Sequence, residues 1–256
     1  MLDQITPLIL TYNEAPNIAR TLDSLRWARE IVIVDSFSTD DTAQIAAAYK
    51  NVRVVQRAFD CHCNQWNFGL KQTGITSEWV LALDADYTVP ADLQKEIQNL
   101  NPNDETAGYR ARFIYCISGK RLHSGVYPPV TVLYRRTEAS YIQDGHTQRI
   151  SLAGRIEELH SPILHDDRKP LRRWFESQKR YTRLEAQKLR AAHPDELSSI
   201  DRLRRWPLIV PPLALFYCLV VRAGVFDGWA GFYYAFQRTI AELMLSLYLI
   251  DNRRSN

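Results

Sequence analysis

Two aspartates, Asp84 and Asp86, stand one residue apart at the end of the apolar run WVLALD, residues 79–84. In an extended chain, side chains two apart point to the same side. Both carboxylates can therefore reach one point just past the run, across the small Ala85. Two unpaired carboxylates that close repel, and one is driven to keep its proton. A hard divalent cation removes the conflict, and oxygen ligands suit Mg2+ or Mn2+, which keep open positions for phosphate oxygens. The competing reading is a solvated strand end with an aspartate capping the helix expected in PADLQKEIQNL, residues 90–100.

Proton-transfer chemistry has its own candidates in YIQDGHTQ, residues 141–148. Asp144 lies beside Gly145, whose freedom of backbone angle lets a carboxylate approach a hydroxyl closely. His146 is the second candidate for a base, since an imidazole titrates near neutrality. The same residues also read as a plain Asp-Gly turn between two strands. His165 either completes the coordination of a cation or is a satisfied structural histidine.

These groups need elements to carry them. Apolar runs at ITPLIL (5–10), IVIVD (31–35), VRVV (52–55) and WVLALD (79–84) alternate with helical patterns such as DDTAQIAAAY and NQWNFGLKQTG. Strands alternating with helices of about ten residues predict a parallel sheet covered on both faces. In such sheets ligands sit beyond the carboxyl ends of the strands. The polar stretches TYNE (11–14), DSFSTDDT (35–42), QRAFD (56–60) and DADYT (84–88) should share that edge. From about residue 107 the alternation predicts an antiparallel annex, and beyond 165 a helical, partly apolar extension. The expected division is a domain over 1–165 and an extension over 166–256.

With these motifs in view, the chain resembles the family 2 glycosyltransferases of the GT-A fold, a Rossmann-like doubly wound sheet. LILTYNE resembles the family's first strand and loop, and IVIVDSFSTDDT its second motif. QWNFGL resembles the segment before the metal site, and LALDAD the metal-binding Asp-x-Asp. The resemblance implies that Thr11, Asn13 and Glu14 lie near a nucleotide, that Asp35 meets the base or ribose with Ser36 beside it, and that Asp84 and Asp86 hold Mn2+ or Mg2+. His165 then closes the metal's coordination or touches a diphosphate. Arg57 and Lys71 are read from their charge alone, either as further cations for that diphosphate or as solvated surface charges. A capping role competes at STDD, where Ser38 and Asp41 fit a capping box.

Within the family the likeness is to lipopolysaccharide-core β-1,4-glucosyltransferase-like members, through LHDDRKPLRRWFESQKRY (164–181) and GVFDGWAGFYYAF (224–236). Tyr87 stands where that subgroup commonly has Glu, and Thr147 where its His-Glu pair would end. The reaction implied is metal-dependent, inverting transfer of a hexose from a UDP-sugar to a glycan or lipid-linked acceptor. Two other readings fit parts of the chain. LALDADYTV matches the pattern of haloacid-dehalogenase-type phosphatases, although three strand-helix units precede residue 84; a sugar-nucleotide or glycan-binding module without turnover is the other.

Composition adds a second theme. Net charge is +3, yet residues 1–110 carry 9 Lys/Arg against 15 Asp/Glu, so the surplus of cations lies behind them. Between Arg168 and Arg205 twelve Lys/Arg are interleaved with Trp174, Phe175 and Tyr181, which suits an anionic membrane surface through residues 168–250 better than nucleic acid. WPLIVPPLALFYCLVV (206–221) is short of the ~20 residues of a spanning helix and holds three prolines. In 229–250, Phe232, Phe236, Ile240, Leu243 and Leu247 form one apolar stripe that packs on a neighbour or lies in the interface. Four cysteines and an N-terminus without a basic-then-apolar leader lead us to expect a cytoplasmic enzyme, peripheral on the inner face of the cell membrane.

Overall fold

A computed structural model describes residues 1–144, 147–193, 195 and 197–251. The chain divides into two compact units: Met1–Gly119 with Tyr127–Arg168, and Lys120–Val126 with Lys169–Asn256.

The first unit opens with β1 (Ile5–Thr11), α1 (Ile18–Asp23), β2 (Ile31–Asp35), α2 (Thr42–Ala47), β3 (Val52–Gln56), α3 (His62–Gln72) and β4 (Trp79–Asp84). These strands pair in parallel in the order β4-β1-β2-β3. Their uninterrupted apolar character follows from burial on both faces: Leu8 and Ile9 are adjacent, fully buried, and enter different cores. Ile9 joins Ile18, Leu22 and Leu83, whereas Leu8 joins Trp66 and Leu70 of α3. Gly69 permits that second contact, since a Cβ there would stand 2.8 Å from a Leu8 methyl. The helix expected in DDTAQIAAAY, residues 40–49, shortens to α2, with turns at its ends.

After β5 (Tyr87–Thr88) and α4 (Ala91–Asn99) come β6 (Thr106–Ala111), β7 (Phe113–Ile117), β8 (Lys120–Arg121), β9 (Val130–Arg135), β10 (Ser140–Asp144), β11 (Thr147–Ser151), β12 (Arg155–Glu158) and β13 (Ile163–His165). The strands expected as one antiparallel annex separate. β9 inserts antiparallel between β4 and β6, and β12 extends the same sheet to seven strands. β10 and β11 form a hairpin of their own, and β13 lies between β5 and β7. β6 and β9 are drawn into the large sheet by buried side chains: Tyr109 and Ala111 of β6 join one core with Val132 and Leu133 of β9, and Tyr134 of β9 joins the other.

The second unit contains α5 (Leu171–Ala191), α6 (Ser199–Arg204), α7 (Val210–Phe216), a π-helical turn over Tyr217–Val221 and α8 (Trp229–Asp251). α5 packs on α8 through Ala186, Leu189, Leu245 and Leu249. Arg204 lies among Glu185, Asp201 and Glu242, and Arg238 meets Glu242 one helical turn away. No helix among the described residues is long and apolar enough to cross a membrane. The α8 stripe expected to pack on a neighbour or lie in the interface is exposed: Phe232, Phe236, Leu243 and Leu247 face solvent, while Ala230, Tyr234, Ala235, Leu245 and Leu249 are buried. Gly231 decides which face turns inward, because a side chain there would collide with the Gly224 carbonyl.

Candidate active site

The parallel register brings the expected loops to one edge. Leu10 is the partner of Asp84, Thr11 of Asp35, and Asp35 of Gln56, so four strand ends finish level. Two side chains on this edge are half exposed and aromatic, Tyr12 at 50% and Phe37 at 52%. Asn13 and Phe37 adopt left-handed backbone angles, φ 56° and 58°. Such non-glycine residues persist only where surrounding bonds hold them.

Those bonds come from the residues expected near a nucleotide. Asp35 is buried and accepts from Thr11 Oγ1 at 2.9 Å, Ser38 Oγ at 2.5 Å and Ser38 N–H at 2.9 Å. Asn13 Oδ1 accepts from Thr39 N–H at 2.7 Å and Asp40 N–H at 3.3 Å, while Asn13 N–H donates to Ser38 Oγ at 2.8 Å. Glu14 N–H donates to Thr42 Oγ1 at 2.7 Å. Thr11, Asn13, Glu14 and Asp35 therefore stitch the first two loops together. The capping box expected between Ser38 and Asp41 is replaced: Ser38 turns to Asp35, Asp41 makes no side-chain cap, and Asp40 receives Thr42 N–H at 3.1 Å.

Ser36 Oγ accepts from Gln65 Nε2 at 2.8 Å. Arg57 and Lys71 line a shallow pocket on α3 together with Asn64, Asn67 and Phe68. Arg57 grips both oxygens of Asp60 at 2.9 Å and lies over the Phe68 ring. Its guanidinium and the Asn64 amide hold the Asp60 carboxyl well below the usual carboxylate range.

The aspartate pair is fixed from below and from one side. Thr21 Oγ1 of α1 donates to the Ala85 carbonyl at 2.6 Å, and Asp166 N–H donates to the Asp86 carbonyl at 3.1 Å. Asp84 closes β4, whereas Asp86 sits in the turn that follows and is 8% exposed. Asp86 Oδ2 lies 3.2 Å from His165 Nε2. Tyr87, Tyr115 and Tyr127 pack edge-on around that imidazole, with centroids 4.7–5.2 Å away. Burial opposes a charge on His165, but Asp86, followed by Asp84 and Asp167, outweighs it and raises the pKa. Tyr87, in place of the subgroup's Glu, is buried and shares a 2.7 Å hydrogen bond with the Tyr127 hydroxyl. Burial, then Asp84 and Tyr127, pushes its own hydroxyl far up.

Among the described residues no three His, Cys, Asp or Glu side chains form a ready-made metal cage. The chemistry of Asp84 and Asp86 suits a hard cation that takes its other ligands from phosphate and water. His165, expected to complete the coordination, has its Nε2 beside the Asp86 carboxylate. Asp144 closes β10 opposite Thr147, but its side chain, like all of His146, lies outside the described residues.

Sequence reading missed a cluster beneath this edge. Asn17 is fully buried and donates from Nδ2 to Glu14 Oε2 and Asp167 Oδ1, both at 2.9 Å. Asn17 Oδ1 receives Arg20 Nη2 and Arg168 N–H, also at 2.9 Å. Asp166 in turn takes Arg168 Nε at 2.9 Å and faces Arg20 Nη1 at 3.5 Å. The segment HDDRK is thus clasped to α1 from 150 residues away in sequence. No motif of adjacent residues marks so distant a pairing.

Comparison with known proteins agrees with this arrangement. The model of glycosyl transferase family 2 matches residues 8–153, and the chain belongs to that family. An uncharacterized glycosyltransferase of Rickettsia felis is 34% identical over 98 residues, which are 38% of this chain and 34% of the relative. The lipopolysaccharide core biosynthesis glycosyltransferase LpsC of Rhizobium meliloti is 31% identical over 119 residues, 44% of this chain and 43% of the relative. The chain thus spans roughly a third to a half of the length of the curated relatives it matches. Among solved structures, mannosyltransferase PcManGT of Pyrobaculum calidifontis, in complex with GDP-Man and Mn2+, superposes with a TM-score of 0.54 at 16% identity, covering 100% of this chain and 89% of that one. S. aureus TarS 1–349 with UDP-GlcNAc gives 0.50 at 16% identity, covering 98% and 92%. The shared fold is the expected GT-A arrangement.

Proposed function

We propose that the protein transfers a sugar, a hexose from a UDP-sugar in the simplest case, to a glycan or lipid-linked acceptor of the cell envelope, with inversion at the anomeric carbon. The observation that carries the proposal is the pair Asp84 and Asp86, held by Thr21 and Asp166 at the edge where four parallel strands end level. Family membership supports the reaction class, and the likeness to the lipopolysaccharide core biosynthesis enzyme of Rhizobium supports a lipopolysaccharide core acceptor.

Asp84 and Asp86 would hold Mn2+ or Mg2+, which supplies Lewis-acid stabilisation of the departing diphosphate. His165 orients the Asp86 carboxylate from behind. Tyr12 and Phe37 offer exposed rings to a nucleobase, on loops whose shape Thr11, Asn13, Glu14 and Asp35 maintain. Asp35 has three of a carboxylate's about four acceptor positions filled from within, so it positions the loop and leaves at most one position for a ribose or base. Ser36 lies beside it, and Arg57 and Lys71 in the α3 pocket offer cations to phosphate. Asp144, with His146 as second candidate, takes the proton of the acceptor hydroxyl from the end of the β10-β11 hairpin.

The basic α5 and the exposed aromatic and aliphatic side chains of 206–250 support a peripheral place on the cytoplasmic, anionic face of the cell membrane. The test of function is turnover with a panel of UDP-, GDP- and dTDP-sugars and truncated lipopolysaccharide acceptors, with Mn2+ or Mg2+, and NMR of the anomeric configuration formed. Transfer from one donor with inversion is the expected result. Metal-dependent phosphate release from phosphomonoesters, with no sugar transfer, would favour the dehalogenase-type reading instead.

A further inference from the structure

The second unit carries an amphipathic helix turned the wrong way for a protein surrounded by water. Through α7 and its π-helical continuation, Ile209, Leu213, Phe216, Tyr217 and Val220 recur at helical spacing, and they are the exposed residues, at 51%, 42%, 55%, 41% and 57%. The opposite side, with Val210, Pro211 and Cys218, is buried. A solvent-facing helix ordinarily shows the reverse pattern. Directly after it, in the turn Gly224–Asp227, Phe226 is 87% exposed, more than any other large apolar residue of the described chain.

This turn cannot relax to hide Phe226. A Cβ on Gly224 would lie 2.6 Å from the Cys218 carbonyl, and one on Gly231 would lie 2.0 Å from the Gly224 carbonyl. Gly228 closes the turn at φ 62°. Asp227, beside Phe226, is buried and receives His123 N–H at 3.1 Å, Ser124 N–H at 2.9 Å and Ser124 Oγ at 2.7 Å. His123 Nδ1 adds a contact at 2.8 Å, and Lys120 Nζ donates to the Asp227 carbonyl at 2.6 Å. Arg222 Nη2 donates to the Gly125 carbonyl at 3.1 Å. The rigid apolar turn is therefore clasped to a loop that brings Lys120, Arg121 and His123, with Arg222 alongside; the only acidic group in the clasp, Asp227, is buried beneath them.

We infer that the α7 stripe and the Phe226 turn form a monotopic insertion face for an anionic phospholipid surface, with Lys120, Arg121, His123 and Arg222 set to meet the lipid phosphates. The face is too short to span, and exposed Trp206 and Trp229 begin the two apolar segments, as suits rings at headgroup depth. Charge decides between a bilayer and a second copy of the chain. A self-complementary face would bring Lys120, Arg121 and Arg222 against their own copies, whereas a bilayer rich in phosphatidylglycerol complements them. The inference rests on the proposed membrane-side acceptor but names a face and anchors that the transfer reaction does not require.

The test is flotation of the full chain with vesicles of phosphatidylglycerol and phosphatidylethanolamine, against pure phosphatidylcholine, at low and high salt. Wild type should float with the anionic vesicles and be released by salt. Phe226→Glu and Val220→Glu, both at exposed positions and so without effect on thermal stability, should each weaken binding about tenfold or more. Brominated acyl chains should quench Trp206 and Trp229 in the wild type. Equal flotation of the two variants and the wild type overturns this face while leaving the membrane reading standing; no flotation of the wild type overturns both. A concentration-dependent dimer in sedimentation, abolished by Phe226→Glu and unaccompanied by flotation, assigns the face to a second copy instead. Nucleotide-sugar binding in the absence of vesicles reports on the transferase reading separately.

Discussion

Nε2 of His165 lies 3.2 Å from Oδ2 of Asp86, joining two residues separated by 79 positions in sequence. Three tyrosine rings fix the imidazole in that direction, so the carboxylate has a partner that does not rotate away. Asp166 N–H holds the Asp86 carbonyl on the same side of the turn. The aspartate pair is thus pre-set by a segment that follows it by some eighty residues.

Removing that support should loosen the cation without unmaking the site. Supporting partners of metal-binding groups typically contribute about 10–100-fold in metal affinity. His165→Ala is expected to raise by about 10–100-fold the Mn2+ concentration that half-saturates nucleotide-sugar binding, read by calorimetric titration. An unchanged Mn2+ requirement would make His165 a packing residue only.

Asn17 is expected to be a stability residue. Its side chain serves four partners while fully buried, and Asn17→Ala leaves Arg168 N–H, the Arg20 guanidinium, Glu14 and Asp167 each short of one bond. The expected loss is about 2–3 kcal/mol of unfolding free energy in urea. A loss below about 0.5 kcal/mol would show that the clasp between α1 and HDDRK is dispensable.

The second unit should show an acid-sensitive step centred on Asp227. Burial works against its charge, but donors from Ser124 and His123 outweigh that and hold the carboxyl down at about 2. A carboxyl whose folded pKa lies below its unfolded value of about 3.9 contributes stability above that value, lost as pH falls toward 2. The contribution is about 2–3 kcal/mol at neutral pH. Asp227→Asn should be less stable at pH 7 and should lack the steep part of the fall between about pH 4 and 2, followed by chemical denaturation across that range.

Gly231→Ala should destabilise α8, although an ordinary helical Gly→Ala change raises helix propensity and stabilises. The added carbon would fall 2.0 Å from the Gly224 carbonyl and 2.8 Å from Asp227 Cβ, both in the crossing turn. A loss of about 3 kcal/mol, or failure to fold, is expected, measured by urea denaturation. Increased stability would contradict the close crossing.

Much of the candidate site's edge was legible in the sequence because its residues are local. Strands β2 and β4 have the bounds that the apolar runs IVIVD and WVLALD predict, and the Asp-x-Asp sits at the end of the fourth strand. What sequence did not reveal depends on distance. The Asn17 clasp, the turn of His165 toward Asp86 and the insertion of β9 between β4 and β6 each join residues far apart in the chain, and neither periodicity nor a short motif encodes such pairings. Asp35 shows a subtler limit: its type and place fit a ligand contact, but the hydroxyls of Thr11 and Ser38 already occupy it. The tail GVFDGWAG matched as a string, and only the structure gave it a reason, in three glycines and a buried aspartate that clasp residues 120–126.

The proposed cation-dependent nucleotide-sugar site at Asp84 and Asp86 is tested by calorimetric titration of a nucleotide-sugar panel with and without Mn2+, on wild type and on Asp84→Asn/Asp86→Asn. The expected result is binding of one nucleotide sugar that requires Mn2+ in the wild type and weakens about 100-fold or more in the double variant, with unfolding midpoints alike. Metal-independent binding of equal strength in both proteins would contradict it.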